Sequence, residues 1–107
     1  MTKITIDKKG LFLESKGHAG MAEAGKDIVC AGISALTQTL ANALNSERGI
    51  QFDVEVDEEA GLLRISGVSC WGAEARKTAE AYFRMAEIGL KAIAQEYPDY
   101  VKVKEAE

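Results

Sequence analysis

The sequence predicts an α+β domain, a two-layer sandwich with two helices on one face of a mainly antiparallel five-stranded sheet. Short segments that alternate apolar and polar residues predict the strands, and two long segments with apolar residues at helical spacing predict the helices. Their order is ββαββαβ, and the short turn inside each ββ pair favours antiparallel pairing. At 107 residues the chain is expected to form a single domain spanning residues 1–107.

The first half of the chain predicts a hairpin, a loop and a helix. Residues 3–7 alternate apolar and polar side chains, and residues 11–16 follow them after the polar turn at 8–10. A glycine-rich loop over residues 17–26 then leads into the first helix, predicted over residues 28–46.

Two features define that helix. Asp27 is the predicted N-cap, because its carboxylate can accept the N–H of Cys30, three residues later. Cys30 is therefore predicted at the third helical position. The apolar residues at helical spacing are Val29, Ile33, Leu36, Leu40 and Leu44.

The second half repeats the ββα pattern and adds a strand. Strands are predicted over residues 51–56 and 62–67, joined by an acidic hairpin loop at 57–61. A long helix follows over residues 72–96, and residues 100–104 form the fifth strand.

The apolar stripe of the second helix is wide. Its main row is Ala79, Phe83, Ala86, Leu90, Ile93 and Tyr97, and its second row is Ala75, Tyr82 and Met85. Such a stripe indicates either a fully used core face or an exposed strip that favours a homodimer through the helical layer.

Composition and charge exclude several classes of protein. The 13 Lys and Arg against 17 Asp and Glu give a net charge of −4, which disfavours a nucleic-acid-binding surface. No signal-peptide pattern is present, and no apolar run reaches the roughly 20 residues of a membrane span. We therefore expect a cytoplasmic protein with reduced thiols. No cofactor is predicted, since a zinc site of His18, Cys30 and Cys70 would lack a fourth ligand.

One pair of residues, His18 and Cys30, has the side chains of a catalytic site. His18, the only histidine, lies in the glycine-rich loop, and Cys30 lies in the first turn of the helix that follows. The positive end of a helix favours a thiolate, and a nearby imidazole can act as its base. The layout predicts a cysteine peptidase with Cys30 as nucleophile and His18 as general base. Gly17, Gly20 and Gly25 predict a mobile substrate loop.

Neighbouring residues complete the predicted site. Asp27 is expected either to cap the helix only or also to orient His18. Ala31 and Gly32 are expected to admit a substrate backbone, and Ser34 is either a cleft residue or an ordinary helix serine. Backbone N–H groups at the helix start or in the loop are the expected oxyanion donors.

Other interpretations of the same residues stay open. Taken alone, Cys30 fits a small buried hydrophobe and His18 a turn residue. A redox sensor would use Cys30 with Cys70 as its resolving partner, whereas a protein-interaction module would use neither thiol. Residues 20–27 are similar to a phosphate-binding P-loop, but Asp27 stands where a Ser or Thr is required, so nucleotide binding is rejected.

The motif GHAG at residues 17–20, followed by GKDIVCAGIS at residues 25–34, resembles the signature of the ribosomal-processing cysteine protease family, Prp. Length, element order and the long second helix also fit this family, so the resemblance covers the whole chain. It implies a cytoplasmic endopeptidase that removes the N-terminal extension of large-subunit ribosomal protein L-twenty-seven after an aromatic pair.

The resemblance also assigns roles. It implies Cys30 as nucleophile, His18 as general base and Asp27 in a supporting position. It further implies a loop over residues 19–26 that opens for the peptide, and homodimers formed through the helical layer.

Overall fold

The protein is described by a computed structural model that covers residues 1–23 and 27–106. The elements within those residues follow the predicted ββαββαβ order. They are β1 Thr2–Asp7, β2 Phe12–Lys16, α1 Ile28–Asn45, β3 Ile50–Asp57, β4 Leu62–Cys70, α2 Ala73–Glu96 and β5 Val101–Glu105.

The strands form one mixed sheet in the order β3-β4-β2-β1-β5. Every neighbouring pair is antiparallel except β1 and β5, which run parallel. A parallel neighbour needs a crossover rather than a tight turn, and the chain reaches β5 through α2. The predicted α+β class and mainly antiparallel sheet are thus confirmed.

The two faces of the sheet differ in chemistry. On the helix-covered face Ile6 lies opposite Leu13, Leu13 lies opposite Ile65, and all three are buried. On the other face Arg64 bridges Glu14 and Glu55 of the two flanking strands, with N–O distances of 2.7 Å to each. The sheet therefore has one apolar face, which both helices cover.

The helices pack closely against each other as well as against the sheet. A Cβ at Gly89 of α2 would lie 2.9 Å from Leu36 Cδ1 of α1, so this glycine allows the close approach. The predicted stripe of α2 is buried at Ala79, Phe83, Ala86 and Leu90. Met85, predicted in the second row, is instead 60% exposed, because it lies on the side of α2 that faces away from the core.

One end of the apolar sheet face is left uncovered. Val54 lies opposite the buried Ile65 and Val56 lies opposite Leu63, so both valines share the core face. They are nevertheless 50% and 59% exposed. This open end borders the cavity described below.

Strand β4 is longer than predicted. It continues to Cys70, because Ile50 lies opposite Cys70 and a register shift follows between Gln51 and Asp53. Gly67 accommodates the irregularity with φ +61°, where a Cβ would lie 2.7 Å from the Asp53 carboxylate. In the part of the chain that the structure describes, neither helix is both long and apolar enough to cross a bilayer.

Candidate active site

Asp27 fixes the junction between the loop and α1. Its Oδ1 accepts the backbone N–H groups of Val29 and Cys30, each at 3.0 Å, so it is the N-cap of the helix. Its Oδ2 accepts the N–H of Met21, also at 3.0 Å. One buried carboxylate thus holds the first turn of α1 and the preceding loop together.

The charge of Asp27 follows from these contacts. Burial raises its pKa, but the N–H groups of Cys30 and Met21, together with the Cys30 thiol, donate to the carboxylate and bring the pKa below its ordinary value. The carboxylate is therefore ionised near neutral pH.

Cys30 lies at the third residue of α1 and is half-buried. Its Sγ accepts the backbone N–H of Ala19 at 3.3 Å, and the positive end of the α1 dipole lies in the same turn. Both groups stabilise negative charge on sulfur once the proton has left. The fold therefore provides a partly accessible thiol with a backbone N–H donor directed at its sulfur.

His18 approaches the site from the loop. Its Nε2 lies 3.1 Å from the backbone carbonyl of Glu59, in the β3–β4 hairpin. Within the described residues no hydrogen bond joins His18 to Cys30 or to Asp27. The imidazole and the thiol nevertheless line the same two cavities.

These two cavities adjoin at the thiol. The first, here called the cleft, has a volume of about 230 Å³ and runs between α1 and the open end of the sheet. The second, here called the loop-side cavity, has a volume of about 620 Å³. The residues common to both are His18, Cys30, Ser34 and Glu58. Space is thus available on either side of the sulfur.

The loop glycines are placed differently from one another. Gly17 has φ +93° and lines the cleft, and a Cβ there would lie 2.5 Å from the Met1 carbonyl oxygen. Gly20 has φ +77° and lines the loop-side cavity. Gly25 lies outside the described residues. That the loop moves to admit substrate stays a prediction.

Comparison with known proteins identifies the family. The sequence model of the family described as Cysteine protease Prp matches residues 1–102. This chain belongs to the Prp family of cysteine proteases. The ribosomal processing cysteine protease Prp of Bacillus subtilis is 31% identical over 97 residues, covering 91% of this chain and 87% of the relative. Its Mycoplasma genitalium namesake is 31% identical over 106 residues, covering 98% and 96%.

Solved structures agree with this assignment. The Prp protease of S. aureus, in complex with a covalently linked product peptide, has a TM-score of 0.78 at 25% identity and covers 98% of this chain and 97% of its own. SMU.848 from Streptococcus mutans has a TM-score of 0.72 at 26% identity, with coverage of 97% and 90%. The fold of this chain is therefore that of Prp proteases.

Not every predicted cleft residue lies in a cavity. Ser34 lines both cavities and Ala31 lines the loop-side cavity. Gly32 instead faces α2, where a Cβ would lie 3.3 Å from Ile93 Cδ1. Gly32 lines neither cavity and permits close packing of α1 on α2, so its role beside the substrate stays a prediction.

The site also contains groups that sequence reasoning missed. The Glu59 carbonyl and the Ala19 N–H are backbone atoms, which no side-chain motif reveals. Val56 lines the cleft only because the helices leave that end of β3 open. Of these three, only Val56 had a sequence signal, its place in an alternating strand.

Proposed function

We propose that this Prp family member is a cytoplasmic endopeptidase, one domain over residues 1–107, that removes the N-terminal extension of ribosomal protein L-twenty-seven. Cys30 is the nucleophile and His18 the general base. The observation that carries the proposal is that both side chains line two adjoining cavities. An endopeptidase needs space for the chain on both sides of the scissile bond, and this arrangement provides it.

The mechanism is acyl transfer through a thioester. His18 takes the thiol proton, and the Cys30 thiolate attacks the scissile carbonyl carbon to form a tetrahedral oxyanion. The C–N bond then breaks as imidazolium gives its proton to the leaving amine. Water attacks the resulting thioester, losing a proton to His18, and that proton returns to the sulfur when the carboxylic product departs.

The oxyanion is stabilised by a backbone N–H group of the loop rather than by those at the helix start. The N–H groups of Val29 and Cys30 already donate to the Asp27 carboxylate, and that of Ala31 donates to the Asp27 carbonyl. The Ala19 N–H, 3.3 Å from Sγ, is placed to turn from the sulfur to an oxygen bonded to the attacked carbon. We assign Ala19 N–H as an oxyanion donor.

Two further observations support a ribosomal substrate. Asp57 and Glu58 line the cleft, and their negative charge favours a basic polypeptide. The named relatives are ribosomal processing proteases, and the S. aureus enzyme has been solved with a covalently linked product peptide. That complex fits a mechanism in which the peptide is bonded to the enzyme.

The competing redox-sensor function is disfavoured by the fold. Cys70 lies seven residues along β4 from Leu63, which lines the cleft. At about 3.3 Å per residue Cys70 lies roughly 23 Å along the strand from this cleft residue. Cys70 lines neither of the two cavities that Cys30 lines, which disfavours it as the resolving partner of an oxidised Cys30.

Mass spectrometry of the product tests the proposal. Incubating the protein with unprocessed L-twenty-seven should give one cut after the aromatic pair, and acid quenching during turnover should reveal enzyme heavier by the acyl fragment. A substrate with the aromatic pair changed to Ala-Ala is the matched control and should be cut much more slowly. Intact substrate after prolonged incubation with folded enzyme would overturn the proposal.

We also propose that the protein forms a homodimer through the exposed apolar side of α2. Met85 and Ile88 are 60% and 59% exposed, and both line a shallow groove with Ala81. The groove also carries Lys77, Glu80 and Arg84. An apolar centre with charges of both signs around it suits self-association with a second copy.

Ile88→Lys should convert the dimer to a monomer, because it places a charge at the apolar centre of the contact. Sedimentation velocity at micromolar concentration measures the change. Gln51→Lys adds the same charge at an exposed position on β3 and should leave the dimer intact. A wild-type protein that sediments as a monomer, or an unchanged Ile88→Lys variant, would contradict the dimer proposal.

A further inference from the structure

The β3–β4 hairpin is tied to the segment that carries His18. Gly17 N–H donates to the Gly61 carbonyl at 3.1 Å, while the Gly17 carbonyl accepts the Thr2 hydroxyl at 3.2 Å. The backbone of Gly17, the residue before His18, is therefore held through both its N–H and its carbonyl. Inside the hairpin, Gly61 N–H donates to the Glu58 carbonyl at 3.2 Å, which presents the Glu59 carbonyl to the imidazole.

The contact between His18 and Glu59 specifies a tautomer. Nε2 lies 3.1 Å from a carbonyl oxygen, which can only accept a hydrogen bond. The proton must therefore be on Nε2. In a neutral imidazole the other nitrogen then holds the lone pair, so Nδ1 is the basic atom.

Asp27 does not perform this orienting function. All of its described hydrogen bonds are with the first turn of α1 and with Met21 and Ala22 in the loop. In serine and cysteine proteases a side chain that accepts a hydrogen bond from the far ring N–H usually fixes the catalytic histidine. Here the acceptor in that position is a main-chain carbonyl.

We propose that the backbone carbonyl of Glu59 is the positioning group for His18, which makes Nδ1 the atom that exchanges protons with Cys30 and the leaving amine. This inference rests on the proposed role of His18 as general base. The carbonyl remains bonded to Nε2–H in both the neutral and the protonated ring, so Nδ1 gains and loses its proton without the ring having to turn. The expected benefit is that the His18 imidazole is already oriented for proton transfer.

Gly61 is the residue that makes the contact possible. Its φ is +63°, and a Cβ there would lie 2.8 Å from the Gly17 carbonyl oxygen and 3.1 Å from His18 Cε1. Gly61→Ala should therefore push the hairpin away from the imidazole. Gly72→Ala is the matched control, because Gly72 also has positive φ, +92°, but has no atom within 4 Å of its Cβ position among the described residues.

The first experiment is NMR on protein labelled with ¹⁵N-histidine, which gives a single ring because the chain contains one histidine. Long-range ¹H–¹⁵N correlation should place the neutral-ring proton on Nε2, and that N–H should be visible because its hydrogen bond slows exchange with water. A proton on Nδ1, or an Nε2–H that exchanges too fast to be seen, would overturn the inference. This readout needs no substrate and no variant.

The second experiment links the contact to catalysis. Gly61→Ala should lose the Nε2–H signal and lower kcat/KM about 100-fold, whereas Gly72→Ala should keep both near wild type. An active Gly61→Ala variant without the signal would overturn the positioning role. A wild-type protein that shows the Nε2–H signal but never cleaves L-twenty-seven would contradict the proposed substrate. An active enzyme with the proton on Nδ1 would contradict only the positioning role of the Glu59 carbonyl.

A third experiment tests the same contact in case the Gly61→Ala variant does not fold. Replacing the Glu59–Ala60 amide by an ester weakens the carbonyl as an acceptor without adding an atom near His18. The ester also removes the Ala60 N–H, which donates to Asp57 Oδ1 at 3.2 Å, so Asp57→Ala is its control for the signal. The ester should weaken the Nε2–H signal while Asp57→Ala keeps it; equal signals in the two would overturn the inference.

Discussion

Replacing Cys30 with Ala should lower kcat/KM for L-twenty-seven by about 10⁴-fold or more, while the protein stays folded. Without the sulfur, no covalent intermediate forms, and only the remaining binding and backbone groups can assist direct attack by water. His18→Ala should lower kcat/KM by about 10² to 10⁴-fold, since it removes only the proton transfer. The two losses should not add, because both residues act in one step.

The structure explains why stability should be preserved. Cys30 is only half-buried, and its Sγ accepts one hydrogen bond, from Ala19 N–H, while its thiol donates to the Asp27 carboxylate. Its removal should change the free energy of unfolding by about 1 kcal/mol or less. Cys70→Ala is the matched control: it deletes the other half-buried thiol and should leave kcat/KM near the wild-type value.

Initial rates followed by mass spectrometry give kcat/KM, and thermal unfolding followed by circular dichroism gives the stability. The nucleophile assignment would be lost if Cys30→Ala retained a tenth of wild-type activity. It would also be lost if Cys70→Ala, fully folded, were the inactive variant.

Asp27→Ala should lower the free energy of unfolding by about 2 kcal/mol. Of this, about 1 kcal/mol comes from loss of the N-cap, and the rest comes from backbone N–H groups that lose their acceptor. Asp27→Asn is the matched control, because its amide oxygen can still cap α1 while its amide NH₂ cannot accept Met21 N–H. Asp27→Asn should therefore lower the free energy of unfolding by less than Asp27→Ala does. Urea unfolding at pH 7 measures the series.

The effect of Asp27 should depend on pH with a definite sign. The folded-state pKa is lowered, whereas the unfolded chain has an ordinary aspartate pKa of about 3.9. The contribution of the charged form is therefore fully present above pH 4 and is lost as pH falls through the folded-state pKa. The stability gap between wild type and Asp27→Asn should narrow below pH 4. A gap that widens in acid would show that the carboxylate is not the stabilised form.

Local sequence rules predicted most of the secondary structure because the signals were local. Asp27 was predicted to be an N-cap, and its Oδ1 accepts the N–H of Cys30 as the spacing required. The alternation in β1 and β3 predicted strands that the sheet contains. The end of β4 was predicted too early, because residues 68–70 are strand only through pairing with β3.

Exposure was predicted less well than periodicity. Val56 and Met85 both belong to regular apolar patterns, yet both are exposed, the first beside the cleft and the second on the outer side of α2. A pattern gives the face on which a residue lies, but the length and placement of the neighbouring layer decide whether that face is covered. The closeness of Gly32 to Ile93 likewise depends on how α2 packs against α1, which no local pattern in the sequence reveals.

By itself, the sequence determined the fold class, the family and the two side chains proposed for the chemistry. A lone histidine, a glycine-rich loop and a cysteine in the first turn of a capped helix follow one another within a short stretch. Their chemistry can therefore be inferred from their spacing. Only the tertiary structure decided what surrounds them: the Glu59 carbonyl that faces His18, the Ala19 N–H that faces the sulfur, and the open end of β3. Backbone groups are the same in every residue, so their positions become informative only after strands and helices have packed.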